Sequence, residues 1–315
     1  MSAMMPPPSS VRPQVPQTAP SMVAPVASPS PALLPGGPLH IDASARSHVG
    51  TVRTRNEDQY LVANLTSAME VVRATSCAER TYFGRKPASL FVVADGMGGH
   101  AAGEKASAIA LASVETFVLD FLARLEPVGA STPTAMLEGA FRRADEAVHD
   151  QGQSRERLRG MGTTMTMALF QGRTVHLAHA GDSRAYLLRD GKLFRMTRDH
   201  TLVAELEAKG LLTPEQVDHH PLKHVVTNVI GGGTLGVTPE ISIFPVKGGD
   251  RLLLCSDGLF DALVDAEIDY VLQTSPTPGE ACGQLVDHAL KNAAKDNVTA
   301  LVVSFQEQAL PVEPS

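Results

Sequence analysis

Phe91-Val-Val-Ala-Asp95-Gly96 and Leu252-Leu-Leu-Cys-Ser-Asp257-Gly258 are two apolar runs that each close on Asp-Gly. A third run, Val175-His-Leu-Ala-His-Ala-Gly181-Asp182, also closes on an aspartate. Two more are built in reverse: Asn56-Glu57-Asp58 precedes the run Gln59–Leu65, and Asp296-Asn297 precedes Val298–Phe305. Apolar runs of this length bounded by Gly, Asp or Asn read as strands. In an antiparallel pair the end of one strand lies beside the start of the next. Three acidic strand ends and two acidic strand starts are therefore expected to bring Glu57, Asp58, Asp95, Asp182, Asp257 and Asp296 to one edge.

The segments around these strands set the fold class. Arg184–Leu188 reads as a further strand, and Asp190-Gly191 as the hairpin turn that follows it. Glu104–Leu125, Thr134–Asp150, Ala266–Gln273 and Gly279–Ala294 carry helical patterns. These helices come in pairs and do not follow each strand singly. The expected class is α+β, with mostly antiparallel sheets and helices packed on them.

Six carboxylates at one edge repel and raise one another's pKa values. Divalent cations remove the conflict, and all-oxygen ligation favours Mg²⁺ or Mn²⁺ over zinc or copper. The glycine after Asp95 and Asp257 permits unusual backbone angles or close approach, leaving a carbonyl as an extra ligand. Two cations sharing a carboxylate acidify a bridging water, a nucleophile suited to a phosphate ester. Arg53, just ahead of Glu57 and Asp58, offers a planar fork for phosphate oxygens.

Composition narrows the alternatives. The 315 residues include 43% apolar and 19% charged residues, the balance of a globular chain with a core. A net charge of −7 argues against nucleic acid as a partner. No uncharged apolar run reaches the ~20 residues of a membrane span, so no membrane partner is expected. The scattered Cys77, Cys255 and Cys282 suit a reduced, cytoplasmic setting. Residues 1–38 hold 11 of the 22 prolines and one charge, Arg12, and read as a disordered Pro/Ala/Ser-rich arm. Residues 39–308 form the expected globular domain, followed by a short tail at 309–315.

Several chemistries are excluded. A Cys-based phosphatase needs Arg six residues after its Cys, and those positions hold Phe83, Asp261 and His288. There is no Asp-x-Asp pair for an aspartyl-phosphate, and no Gly-x-x-x-x-Gly-Lys-Ser/Thr loop for a nucleotide. His219, His220 and His224 form a dense group, but Pro221 interrupts any shared helix face, so a plain surface is expected there. His176 and His179 fall on opposite strand faces, and Cys255 reads as core.

Seven motifs in order now identify a resemblance. They are Arg53 to Asp58, Val93-Ala-Asp95-Gly-Met-Gly-Gly-His100, Met161-Gly-Thr-Thr164, Gly181-Asp-Ser-Arg184, Thr197-Arg-Asp-His200, Ser256-Asp-Gly-Leu259 and Asp296-Asn-Val-Thr299. The chain resembles the metal-dependent Ser/Thr protein phosphatases, the PPM or type 2C family, in their bacterial form. The resemblance implies an α-β-β-α sandwich of two sheets flanked by helix pairs. It implies that Asp95 bridges two Mn²⁺ or Mg²⁺ ions, that the Gly96 carbonyl binds one, and that Asp257 and Asp296 complete the other. Glu57 and Asp58 then hold metal-bound waters, Asp182 serves a third, weaker cation, and Arg53 binds phosphate. Thr201 to about Gly236 matches a mobile flap, with a helical Leu202–Leu212 stretch and the glycines 231–233 as a hinge. Met97 stands where many eukaryotic members carry His, a proton donor to the leaving group. That role is open here, with a metal-bound water as the substitute, since His100 lies three residues on.

The expected activity is hydrolysis of phosphoserine and phosphothreonine in proteins by metal-activated water, without a phosphoenzyme. Expected partners are phosphorylated proteins, substrates of a cellular Ser/Thr kinase, and the chain is expected to act as a monomer. The rival readings are a phosphoprotein-binding pseudophosphatase, which would lack a metal ligand, and another two-metal phosphoesterase.

Overall fold

The computed structural model describes residues 37–65, 68–74, 81–83, 88–98, 102–123, 132–233 and 235–308. The expected arm, the tail, Cys77 and His100 therefore lie outside the described residues. The strands are β1 (Leu39–His48), β2 (Asp58–Leu65), β3 (Ala68–Ala74), β4 (Thr81–Phe83), β5 (Ala88–Met97), β6 (Gly162–Thr163), β7 (Met165–Gln171), β8 (Thr174–Ala180), β9 (Arg184–Arg189), β10 (Lys192–Arg195), β11 (Ile230–Gly231), β12 (Glu240–Pro245), β13 (Arg251–Cys255) and β14 (Val298–Glu307). The helices are α1 (Ala102–Ala123), α2 (Pro133–Ser154), α3 (Leu202–Ala208), α4 (Pro214–Asp218), α5 (Asp257–Phe260), α6 (Asp265–Thr274) and α7 (Pro278–Lys291).

Two antiparallel sheets result. One runs β1-β14-β13-β9-β10 and the other β12-β8-β7-β5-β2-β3-β4, with β6 paired to the end of β5 and β11 to β6. Strand alternation explains the layers. On β5, Leu90, Val92 and Ala94 join the core under α1 and α2, while Phe91 and Val93 face the other sheet. On β14, Val298, Ala300 and Val302 pack on α6 and α7, while Leu301, Val303 and Phe305 fill the space between the sheets. A strand buried on both faces reads as a continuous apolar run, which is why these were visible in the sequence. The expected α-β-β-α order of layers follows.

The differences are local. β1, β3, β4, β6, β7, β11 and β12 had no expected counterpart. The helix expected over Leu202–Leu212 ends at Ala208, with Gly210 at φ +70°. A second helix, α4, follows, started by Thr213 in a reciprocal cap with Gln216 and by Pro214.

The glycines 231–233 are not a free hinge. Gly231 pairs with Gly162 through β11, its N–H donates to Asp145 Oδ1 at 2.7 Å, and Gly232 donates to Met161 O at 2.9 Å. Asp145 Oδ2 also accepts from Gly236 and Val237. A carboxylate on α2 thus anchors the far end of the flap. The near end is closed by a bridge between Thr201 and Val226, with Leu202 N–H donating to Val225 O and Thr227 N–H to His200 O, both at 2.8 Å.

Candidate metal centre

Parity along the strands places the acidic groups. Asp95 lies on the face of Phe91 and Val93, and Asp58 on the face of Tyr60 and Val62, both between the sheets. The two aspartates are direct partners across the β2–β5 ladder. Ser256 and Thr299, from the ends of β13 and β14, each donate a hydroxyl to Asp58 Oδ2 at 2.7 Å. Asp58 so joins the two sheets at the edge where the other carboxylates gather.

A cavity of about 670 Å³ opens at that edge. Arg53, Glu57, Asp95, Gly96, Asp182, Asp257 and Asp296 line it, so seven of the eight expected site residues meet there. Asp58 is the exception: it is 1% exposed and lies beneath the cavity wall, held by hydroxyls.

Gly96 and Gly258 are glycine for space and not for backbone angle. Neither has positive φ. A Cβ on Gly96 would strike the Gly103 carbonyl, and one on Gly258 the Asn297 carbonyl. Gly103 in turn leaves room for the Glu57 carboxylate.

Residues that the carboxylate pattern did not mark hold the loops. Asn297 accepts from Glu57 N–H at 2.8 Å and donates to Val49 O and Arg55 O, tethering the segment that carries Arg53. Thr164 Oγ1 accepts from Asp95 N–H and meets Ser183 Oγ at 2.7 Å, linking the Asp95 strand to the Asp182 loop. The only signal for these residues was their place inside the quoted motifs.

The electrostatics show a site that lacks countercharge. Burial pushes Asp95 and Asp257 well up, and neighbouring aspartates push further: Asp58 and Asp257 on Asp95, Asp182 and Asp296 on Asp257. Burial also raises Asp58 to about 6 and Asp182 to about 7. Asp58 Oδ1 and Asp257 Oδ1 are buried without a hydrogen-bond partner. Oxygen donors that are crowded, desolvated and unpartnered fit hard divalent cations. Arg53 is already engaged: its Nη2 lies 2.6 Å from Asp296 Oδ2, in an ion pair half open to solvent.

Of the flap histidines, His219 is exposed, as expected. His224 departs from the expectation of a plain surface. Its ring, Asp257 and Asp261 bring donor atoms within 4.8 Å of one another.

The comparisons with known proteins agree with this geometry. A family model described as Protein phosphatase 2C matches residues 74–294. That span contains Asp95, Asp182 and Asp257, while Arg53, Glu57, Asp58 and Asp296 enter the site from outside it. The Serine/threonine protein phosphatase PstP of Mycobacterium tuberculosis is 38% identical over 259 residues, which is 82% of this chain and 44% of that protein. The chain thus spans less than half the length of that relative. The Serine/threonine phosphatase stp of Listeria innocua is 33% identical over 215 residues, 68% of this chain and 83% of that protein. Among solved structures, the PstP catalytic domain in complex with two manganese ions superposes with a TM-score of 0.67 at 36% identity. That likeness covers 85% of this chain and 99% of the solved one. With two thirds of its length inside the family model and its carboxylates meeting at one edge, this chain belongs to the protein phosphatase 2C family.

Proposed function

We propose that the chain hydrolyses phosphoserine and phosphothreonine in proteins with the help of two divalent cations, Mn²⁺ or Mg²⁺. The observation that carries this reading is the meeting of Asp95, Asp257, Asp296, Glu57 and Arg53 around one cavity of about 670 Å³. The manganese-bound PstP catalytic domain supports the choice of metal.

Asp95, the Gly96 carbonyl, Asp257 and Asp296 are the groups that would hold the pair, with Asp182 serving a third, weaker cation. When bound, such cations lower the pKa of water and neutralise charge on the phosphoryl group. Arg53 binds and orients the phosphate dianion at the mouth. Its present partner, Asp296, is solvent-accessible, and an exposed ion pair is worth only ~0–1 kcal/mol, so exchange to phosphate is cheap. Glu57 and Asp58 orient water as acceptors, with Asp58 fixed by Ser256 and Thr299.

The substrates in this reading are phosphoproteins made by a Ser/Thr kinase of the same cell, in a cytoplasmic signalling role. Among the described residues no helix is long and apolar enough to cross a membrane. The test is phosphate release from a phosphothreonine peptide in Mn²⁺, with and without chelator. Nucleotide and sugar-phosphate substrates run in parallel. Release that persists in chelator, or a preference for the small phosphoesters, would overturn the proposal.

A further inference from the structure

The flap reaches the metal centre at one point. Asp257 opens the short helix α5, and Asp261 follows its last residue, with Asp261 N–H donating to Asp257 O at 2.8 Å. The two carboxylates are therefore i and i+4 neighbours on one helical turn. His224 comes from the flap and meets them there, the three donor atoms lying within 4.8 Å of one another. Val226, two residues beyond His224, is held by its bridge to Thr201, so His224 sits where the flap backbone is anchored. The His224 ring is exposed to solvent, and Asp257 Oδ1 is buried without a hydrogen-bond partner. The other cross-link at this point is a long ion pair, Lys223 Nζ to Asp261 Oδ1 at 3.9 Å.

We propose that His224, Asp257 and Asp261 form a cation site that fastens the flap to the body of the enzyme. This rests on the binuclear reading above but goes beyond the family pattern, in which the flap contributes no ligand. Asp257 has two oxygens, so one can serve the central pair while the other serves this site. One imidazole with two carboxylates is a mixed nitrogen and oxygen set. Mg²⁺ prefers oxygen and keeps its water, whereas first-row transition metals accept imidazole. The site therefore takes Mn²⁺ in preference to Mg²⁺. It stands at the junction of two cavities, since His224, Asp257 and Asp261 line both the metal cavity and a second cavity of about 710 Å³ under the flap. Occupancy would hold that second cavity in shape.

The test is equilibrium binding of Mn²⁺ and Mg²⁺ to the full chain carrying Asp182→Asn, so that the cation assigned to Asp182 is not counted, and to the same chain with His224→Ala, Asp261→Asn or His219→Ala added. The Asp182→Asn chain, alone or with His219→Ala, should bind a weaker Mn²⁺ beyond the first two. Adding His224→Ala or Asp261→Asn should keep the first two and weaken the additional one by about tenfold or more, the scale of losing a metal-supporting side chain. With Mg²⁺ the Asp182→Asn chain should be indistinguishable with and without His224→Ala. Trypsin cleavage after the exposed Lys209, between the flap helices, gives a second readout. Mn²⁺ beyond the first two equivalents should slow it in the Asp182→Asn chain and not when His224→Ala is added. An additional Mn²⁺ held equally well with both ligand substitutions overturns the site, as does binding of two Mn²⁺ and no more by the Asp182→Asn chain. A chain that binds no Mn²⁺ overturns the binuclear reading itself.

Discussion

Asp58 and Asp95 are direct partners across the β2–β5 ladder, a buried carboxylate facing a half-buried one between the sheets. Like charges directly opposite destabilise a strand pair. Burial is the first reason both pKa values rise; the Asp58 charge then pushes Asp95 further, while on Asp58 the added push comes from Asp296 and Asp95 acts as a hydrogen-bond partner. Metal-free protein therefore holds an internal strain that a divalent cation relieves. The same pair that makes the site useful makes the empty fold weaker.

Removing one member separates stability from activity. Asp95→Asn should raise the melting temperature of chelator-treated protein, by about 2–4 °C for each kcal/mol of repulsion relieved. The same substitution should cost about 10³-fold or more in kcat/KM on a phosphothreonine peptide with Mn²⁺, at least ~4 kcal/mol in the barrier. Melting curves in chelator and initial rates in Mn²⁺ measure both. A lower melting temperature in chelator would show that the facing carboxylates are not a net cost.

The pH dependence of metal-free protein has a definite sign. Asp182 is raised to about 7, and Asp95 and Asp257 lie well above the ordinary 3.8. For a raised carboxyl the unfolded chain loses its proton first. The contribution is full below about pH 3.8 and is lost as pH climbs through the folded value. His179, lowered by burial to about 4, works the other way, adding stability between about 4 and 6.5. Between pH 6.5 and 8.5 the aspartates act alone. Melting temperature in chelator should fall across that window, and the gain on adding Mn²⁺ should grow. Flat or rising melts in chelator would contradict the raised values.

Much of this site was legible before any coordinates, for a physical reason. β5, β13 and β14 are covered on both faces, so their sequences are unbroken apolar runs, and the acidic residue at each end is conspicuous. β7 was hidden because Met165-Thr-Met-Ala is weak in strand formers, and β1 because Asp42, Ser44 and Arg46 alternate with small residues. The helix α4 carries a readable signal, Thr213-Pro214 with Gln216, just beyond the stretch expected to be helical. Thr164, Ser183, Ser256 and Thr299 act through hydroxyls whose partners are far away in sequence, as with Asp58 and Thr299. The clamp of Asp145 on residues 231–237 and the approach of His224 to Asp261 are tertiary facts with no spacing rule to announce them.

Arg53 is tested by its ligand and not by its ion pair. Arg53→Ala should weaken binding of inorganic phosphate by about 1.5–3 kcal/mol, the range of a charged hydrogen bond. Arg53→Lys should recover only part, because an ammonium lacks the planar fork. Competitive inhibition by phosphate against p-nitrophenyl phosphate measures this. An unchanged inhibition constant in Arg53→Ala would remove the residue from phosphate recognition.

Asp145 predicts a stability effect far from the carboxylate edge. It accepts from Gly231, Gly236 and Val237, and it is 3% exposed. Asp145→Ala leaves the buried Gly231 N–H without its acceptor, at a cost of about 1–3 kcal/mol, whereas the Gly236 and Val237 donors lie nearer solvent. A loss of about 1–3 kcal/mol is expected, read as a drop in melting temperature. Asp145→Asn keeps an acceptor oxygen and should lose less. Equal stability of Asp145→Ala and the unmodified chain would show that the clamp is not needed.

The flap should select protein substrates and leave the chemistry alone. Its two ends are fixed, one by the Thr201–Val226 bridge and the other by Asp145, so α3 and α4 form a lobe held above a cavity of about 710 Å³. Val203, Ala204 and Val217 give that cavity an apolar side, and Arg198 and Lys223 give it cationic groups. It is continuous with the metal cavity through Asp182 and Asp257. A phosphopeptide whose phosphate lies at the carboxylates can place a neighbouring residue there. The compact p-nitrophenyl phosphate has no such residue. Contacts remote from the reacting phosphorus can still lower the barrier by positioning the substrate. Val217→Asp puts a charge into the apolar side without touching any carboxylate of the metal centre. It should reduce kcat/KM for a phosphothreonine peptide by about tenfold or more, worth ~1.4 kcal/mol, while p-nitrophenyl phosphate stays within about twofold. The deciding quantity is the ratio of the two kcat/KM values in the unmodified chain and the variant. An equal loss on both substrates would mean that the lobe supports the metal centre, and selectivity would have to be sought elsewhere on the surface.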